Sequence, residues 1–529
     1  MKLNYLKFLT ILALIVTTNM TVTAQNIEVH IGNEAKASKR ESVKSIFPTK
    51  DGAIAIKSQP KLLGINSLSI EVLDKSMNII NRNDFELPER DLNMTKMTFV
   101  NEKLYVFMDR YDSKSNLNSI YGTTISIDGK FNNDIIEIAQ VHADSRRKSN
   151  SFDVSLSADS SQFLITIAPS IKDKGQMGER HFITINQAFE EEDNIKIKFP
   201  FKERDFDINS KYLDQFGNIH MLCGVNIEES KRNSIFKTES EKEARIFTVY
   251  KGENEIKEYQ INFLNDDAGF ISQLKMKTDK LGKLQCTGFY SDKFGNSTKG
   301  VFVFTVDLET KEISNSTSQS FTDEYLNQFL SERQIRKKER KKDKKHNPYD
   351  RLYNYKIRDI VMKEGGGFYI VAEYYLFRIS TTTDSKGNTR TTYHYYYDDL
   401  MVINVESNNE VSWYSKVPKK QYSTNDDGRF SGIVTGINHD NSLNIIFNDN
   451  EEYANVLAPE NHKRVNFKKS KVVLVKFEED GKATKTPLFG GNKSKMYVVP
   501  SASPKGKQND LILYSKGKRT NKFVNVILK

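Results

Sequence analysis

The sequence predicts an all-β fold, a single domain of four-stranded antiparallel sheets repeated around an axis, and three observations predict it. Short alternating runs rich in Val, Ile, Phe and Tyr recur from end to end, each bounded by Gly, Asn or Asp turns. The runs group in fours, so one supersecondary unit is being repeated. A spare strand near the start of the chain matches a unit near its end that is one strand short.

The clearest unit lies mid-chain. A run at 270–276 is followed by a turn ending in Gly282, a run at 284–290, a polar loop, a run at 301–308, a tight Glu309-Thr310-Lys311 turn and a last strand from Glu312. The same grammar gives a first unit at 42–47, 53–57, 68–73 and 79–85, and a second at 95–100, 104–108, 121–127 and 134–139. A third follows at 152–156, 163–168, 181–186 and 194–199, and a fourth at 208–213, 219–223, 245–250 and 255–263. The sixth occupies 355–362, 368–377, 400–405 and 410–416; the seventh, 432–438, 443–447, 472–477 and 483–489. The eighth supplies three strands, 496–500, 510–514 and 523–528, and residues 26–31 (NIEVHI) offer the fourth.

In these strands and turns the chain resembles the β-propeller superfamily over essentially all of residues 25–529. The resemblance implies an eight-bladed β-propeller, with seven blades as the alternative, closed by pairing of its N- and C-terminal strands and carrying a binding site centred on one face. Radial repetition leaves only short edges, which answers the hazard of exposed sheet edges. The WD, kelch and NHL motifs are absent, as are the Asp box and the repeated tryptophans of quinone-dependent propellers, since Trp413 stands alone.

Eight units average about 63 residues, more than the ~40–50 of common propeller repeats, so the excess sits in loops. Connections from first to second and from third to fourth strands are tight, as in Lys50-Asp51-Gly52 and Glu479-Asp480-Gly481. Those from second to third strands and between units are long, as at 226–243, 321–350 and 448–470. One face is trimmed and the other elaborated, and the elaborated face is expected to carry function.

Residues 1–24 read as a signal peptide: Lys2 and Lys7 precede an apolar run at 8–16, and Val22-Thr23-Ala24 supplies the small residues a signal peptidase accepts. That run is shorter than the ~20 apolar residues needed to cross a bilayer. Export to the periplasm, outer surface or extracellular space is expected, without lipid on an N-terminal Cys. Only Cys223 and Cys286 are present, unlike a disulfide-stapled scaffold. Both fall in second strands with matching parity, which favours free buried thiols over a bridge between them.

Two neighbouring insertions carry the candidate binding residues. The first, at 322–350, opens with a helix start at Thr322 and continues into a basic run that includes Arg336, Lys337, Lys338, Arg340, Lys341 and Lys342. It is either a patch for an anionic partner or a solvated helix extension. The second, at 374–397, reads as a β-ribbon projecting past its blade and lined by Tyr374, Tyr375, Tyr393 and Tyr395, with Tyr396 and Tyr397 beside them. These tyrosines either form a contact platform or cover the ribbon's own base. Together the insertions would make a composite crest.

Catalytic signals are weak. The eight histidines form no HExxH or other ligand spacing, there is no GxSxG elbow or phosphate loop, and no acid–base pair stands out. No cofactor, metal ligand or catalytic residue is assigned. The formal charge of +10 favours acidic neighbours. The expected function is an exported, non-catalytic binder of a protein or anionic glycan of the cell envelope, with an anionic membrane surface as a further partner and nucleic acid not expected. The alternative is a propeller polysaccharide hydrolase or lyase with carboxylates near the central channel.

Overall fold

The computed structural model describes residues 27–528 except 39, 61–65, 133, 171–174, 227–241, 262–269, 280–281, 292–296, 329–331, 341–351, 460–461, 492–495, 505–509 and 518. The expected signal peptide lies outside them. The chain is all-β, with propeller-like four-stranded sheets in which successive strands pair antiparallel.

The first sheet comprises Ser42–Thr49, Gly52–Pro60, Asn66–Leu73 and Ile79–Phe85, and the second Asn93–Val100, Lys103–Asp112, Leu117–Ile125 and Ile136–His142. The third runs through Ser151–Leu156, Gln162–Ala168, Met177–Asn186 and Glu191–Lys202; the fourth through Phe206–Leu213, Ile219–Asn226, Lys242–Val249 and Ile256–Tyr259. Phe270–Thr278, Leu284–Ser291, Gly300–Asp307 and Glu312–Ser320 form the fifth. Tyr355–Met362, Phe368–Thr383, Thr389–Val405 and Val411–Val417 form the sixth, widened by Gln421–Thr424. Val434–Ile437, Leu443–Asp449, Lys471–Phe477 and Ala483–Gly490 make the seventh.

The eighth sheet joins the two ends of the described chain. Thr520–Leu528 pairs with Asp510–Lys516 on one edge, and with Ile27–Ile31 and Ala35–Lys36 on the other. Its expected first strand, 496–500, is a correction: the segment makes a single bridge, Val498 to Ser515, and turns into a 3-10 helix at Pro500–Ala502. Pro500 has no N–H to give a ladder and its fixed φ starts the turn instead.

Burial explains the residue choice in each strand. Second and third strands are covered on both faces and so are buried along almost their whole length, as in Leu443–Asp449, where even Asn444, Asn448 and Asp449 are enclosed, and in the more apolar Gly300–Asp307. Fourth strands alternate toward solvent, as in Glu312–Ser320. Each hydrophobic cluster is shared by two sheets, consecutive in the chain in all but one case: Leu104 and Val106 of the second pack with Ile54 and Ile56 of the first, and Phe289 and Val301 of the fifth with Phe368 and Ile370 of the sixth. The eighth sheet packs on the seventh through Leu511 and Val524, and on the first through Ile512, Tyr514 and Phe523.

First strands touch one another from sheet to sheet, as Ser151–Leu156 does with both Asn93–Val100 and Phe206–Leu213. In five sheets that strand is bulged near its start, at Val43/Ser45, Met94/Lys96, Ile208/Ser210, Ile271/Gln273 and Ile357/Asp359. A bulge bends and twists its strand locally, so the repeat extends to a shared irregularity as well as a shared pattern. The two cysteines are free and buried, each in a second strand and each facing the preceding sheet, which agrees with the parity reading.

Candidate functional site

The ribbon is a continuation of the sixth sheet. Phe368–Thr383 and Thr389–Val405 stay paired to the turn at Asp384–Asn388, where Asp384 accepts from the backbone N–H groups of Lys386 and Asn388 and Gly387 takes φ +81°. A bulge between Glu373 and Tyr375 separates sheet from ribbon and resets which side chains share a face. Beyond it Tyr375 lies opposite Tyr397, Phe377 opposite Tyr395, and Ile379 opposite Tyr393. With two-residue periodicity, these six form one stripe up one face of the ribbon.

The lower stripe is enclosed. Tyr375 and Tyr397 meet edge to face at 4.9 Å, and the Arg358 guanidinium lies about 5 Å from both ring centres. Gly428 comes so close to Tyr397 that a Cβ there would sit 2.7 Å from the ring. Tyr395 donates its hydroxyl proton to Asp427 at 3.0 Å and packs 5.2 Å from Phe377. The upper stripe is open: Phe377 is 41% exposed, Ile379 58% and Tyr393 43%, with the Phe377 and Tyr393 rings stacked at 6.2 Å.

The opposite face is supported by neighbours. Gln421–Thr424 pairs with residues 394–397, Tyr396 packs on Tyr422 at 4.8 Å, and Arg464 from the long loop of the seventh sheet lies over both rings. His394 is held between Tyr422 and Ser380 at 2.9 and 2.7 Å.

Beneath the ribbon sits a buried ionic cluster. The Glu373 carboxylate bonds to Arg358 and to Lys419, each at 2.7 Å, and Lys419 also donates to the Tyr397 carbonyl and to Gln421 at 2.9 Å. Burial is the largest influence on its neighbours. It pushes the Asp398 carboxyl up to about 6, against Lys419 and with help from Asp399, and it lowers the Lys419 ammonium despite Glu373. A cluster so tied to Tyr397 and Gln421 fixes the angle at which the ribbon leaves its sheet.

The basic insertion is seated on the same sheet. Helix α1 (Asp323–Asn327) begins at Thr322, whose hydroxyl accepts from the Tyr325 N–H, and Tyr325 and Leu326 are buried at the seam of the fifth and sixth sheets. Lys416 donates to the Tyr325 carbonyl at 2.8 Å, and the Tyr325 and Tyr414 rings meet at 4.5 Å. Helix α2 (Glu332–Glu339) follows. Arg336 and Lys337 are exposed there, Arg336 pairing with Glu332 at 2.9 Å, and Arg340 is exposed just beyond. Lys338 belongs to α2, whereas Lys341 and Lys342 fall outside the described residues. The Arg340 N–H donates to the Arg336 carbonyl at 3.2 Å and continues the last turn of α2.

The expected tyrosines thus divide. Tyr374, beside Tyr355 at 6.2 Å, and Tyr375 belong to the base; Tyr395 is at the middle, and Tyr393 is on the open end. Phe377 and Ile379 complete that end, and the sequence reading missed them. One buried constellation is structural. His220 joins Asp214 at 3.1 Å and Thr248 at 2.8 Å, but Asp214 also accepts from the N–H groups of Phe216 and Asn218, so the trio fixes a turn. Although burial works against it, hydrogen bonds from His220 and Asn218 hold the Asp214 carboxyl below the usual range.

No family model matches this sequence, and no curated protein matches it. Among solved structures the chain is similar to the β-propeller domain of the Trilobed protease from Pyrococcus furiosus, at 9% identity and a TM-score of 0.33 over 71% of this chain and 97% of that one. It is similar to the N-terminal domain of Nup159, at 6% identity and TM-score 0.30 over 95% and 96%. A puromycin-hydrolyzing peptidase of Mycobacterium tuberculosis matches at 8% identity and TM-score 0.34 over 81% of this chain, which spans 50% of that peptidase. At these values the likenesses do not bear on function.

Proposed function

We propose that the chain is an exported, non-catalytic β-propeller that binds a protein or anionic glycan of the cell envelope through its long-loop face. The observation that carries this reading is the open end of the ribbon stripe: two aromatic rings and an isoleucine held exposed on a braced hairpin. Rigid aromatics supply contact area at low entropic cost, and clusters of them are what dominate binding energy at interfaces. Arg336, Lys337, Lys338, Arg340, Lys341 and Lys342 would steer an acidic partner toward that surface, more strongly at low salt. The eight sheets and the clusters between them support a closed eight-bladed ring, sealed by Ile27–Ile31 on Thr520–Leu528.

The test is capture from envelope extract with three proteins: wild type, a variant with Phe377, Ile379 and Tyr393 replaced by Ser, and a variant with the six basic residues replaced by Ser. Loss of the same partner from both variants is expected. Identical partners from all three would move the binding site off the ribbon. The alternative, a polysaccharide hydrolase or lyase, requires two carboxylates about 5–10 Å apart near the axis, and release of reducing ends from envelope polysaccharide would decide for it.

A further inference from the structure

Where the first strands of the third and fourth sheets run side by side, two adjoining clefts of about 530 and 450 Å³ open between them, sharing Asp153, Ile208 and Lys211. Both volumes fall within the ~300–1,000 Å³ of small-molecule sites. The larger cleft is walled by the start of each first strand, the end of the second strand of the third sheet and the start of its third strand, so it lies on the long-loop side.

Three features of the walls point to one ligand chemistry. Their charges are balanced, with Asp153, Glu203 and Asp207 against Arg180, Arg204 and Lys211. Arg180 is bonded to Glu203 at 2.7 Å with both side chains 9% exposed, its guanidinium is held 5.1 Å over the Phe206 ring, and Lys211 contacts Asp153. Paired charges of this kind do not select a net charge, but they keep fixed donors and acceptors facing the cavity.

Hydroxyls supply the second feature. Thr166, 5% exposed and paired across the strands with Asp153, has an Oγ1 with no partner in the protein, and so do the Oγ atoms of Ser155 and Ser210 in the smaller cleft. A buried hydroxyl left unpaired is costly, and a ligand that pairs with it recovers that cost. Third, the bulge at Ile208/Ser210 falls in the shared wall, and bulges are the usual device for re-aiming side chains beside a site.

We propose that this double cleft binds a neutral saccharide of about two units, whose hydroxyls both donate and accept as the walls do. The site is separate from the ribbon and does not depend on it. An anionic ligand would meet Arg180 and Lys211 already neutralised by Glu203 and Asp153, with Arg204 beside Asp205 at 3.7 Å, and a cationic one would meet Glu203 and Asp153 already bonded to Arg180 and Lys211.

The experiment is calorimetric titration of the mature chain with cellobiose, maltose, lactose and N,N′-diacetylchitobiose, beside glucuronate, inorganic phosphate and glycine as charged probes. At least one neutral disaccharide is expected to bind with a Kd of about 10 mM or tighter. Thr166→Val should weaken it about five- to tenfold, the range of one lost hydrogen bond, while Thr166→Ser keeps the hydroxyl and the affinity. Asp153→Asn should weaken it further, and Phe377→Ser should leave it unchanged. No binding by any of the four, equal binding by Thr166→Val, or tighter binding of a charged probe would each overturn the proposal.

Discussion

Single buried charges set the terms on which this fold holds its ribbon. Glu373 and Lys419 are fully buried and bonded at 2.7 Å, an arrangement whose value lies in geometry more than in net stability, because desolvation offsets much of the attraction. Asp398, beside them, is the residue where the cost becomes measurable. Its carboxyl binds a proton more tightly folded than unfolded, so its contribution is favourable below the unfolded value of ~4 and is lost as pH rises through about 6. Asp398→Asn removes that loss. Between pH 4.5 and 7.5 the variant should gain about 1–3 kcal/mol on the wild type in urea unfolding, with a difference that does not move with pH counting against the assignment. The cysteines are a quieter case, since burial raises both thiols, Cys223 up to about 12, and leaves them little thiolate with which to react.

At the scale of elements, the turns and alternating runs were legible because each depends on a few adjacent residues. Asp214–Asn218 and Asp384–Asn388 both spell Asp, two loop residues, Gly, Asn, and both fold with the Asp side chain accepting from the backbone ahead and Gly at positive φ. The ribbon was legible too, since strand formers flank a Gly turn. Its working face was not, because the bulge at Glu373/Tyr375 shifts the alternation and brings Phe377 and Ile379 onto the side of Tyr393. A count of tyrosines cannot see that shift. The clefts were hidden for another reason: their walls come from four strands of two sheets, with no local spacing in common. One element-scale prediction concerns the loop beside the stripe. Gly428, at φ +63° with Tyr397 against it, should not tolerate Gly428→Ala, which adds backbone strain and a steric clash at once. A loss of about 1–3 kcal/mol is expected, read by denaturant unfolding, and a neutral substitution would mean that the loop does not rest on the stripe.

For the whole molecule, the eighth sheet is the critical one, because it is assembled from opposite ends of the described chain. Ile27 to Ile31 run in register with Leu528 to Val524, and Ile27 and Val29 pack against the cluster shared with the seventh sheet. The seam with the first sheet is ionic at its centre: Lys57 reaches Glu71 at 2.6 Å and Glu41 at 3.2 Å and bonds to Asn521 of the last strand, while Lys516 donates to the Glu41 carbonyl. In the closed ring proposed above such a seam would give every blade two neighbours and leave no long edge for another chain to extend. Deleting residues 25–31 should therefore expose one edge of Thr520–Leu528, remove a short ladder worth about 1 kcal/mol per hydrogen bond, and uncover the apolar side chains it shielded. The truncated protein should melt at lower temperature and aggregate faster than a chain beginning at residue 25, by calorimetry and light scattering, whereas replacing Phe377, Ile379 and Tyr393 by Ser should leave the melt unchanged. Equal melting of the two chains would count against the proposed closure through the eighth sheet.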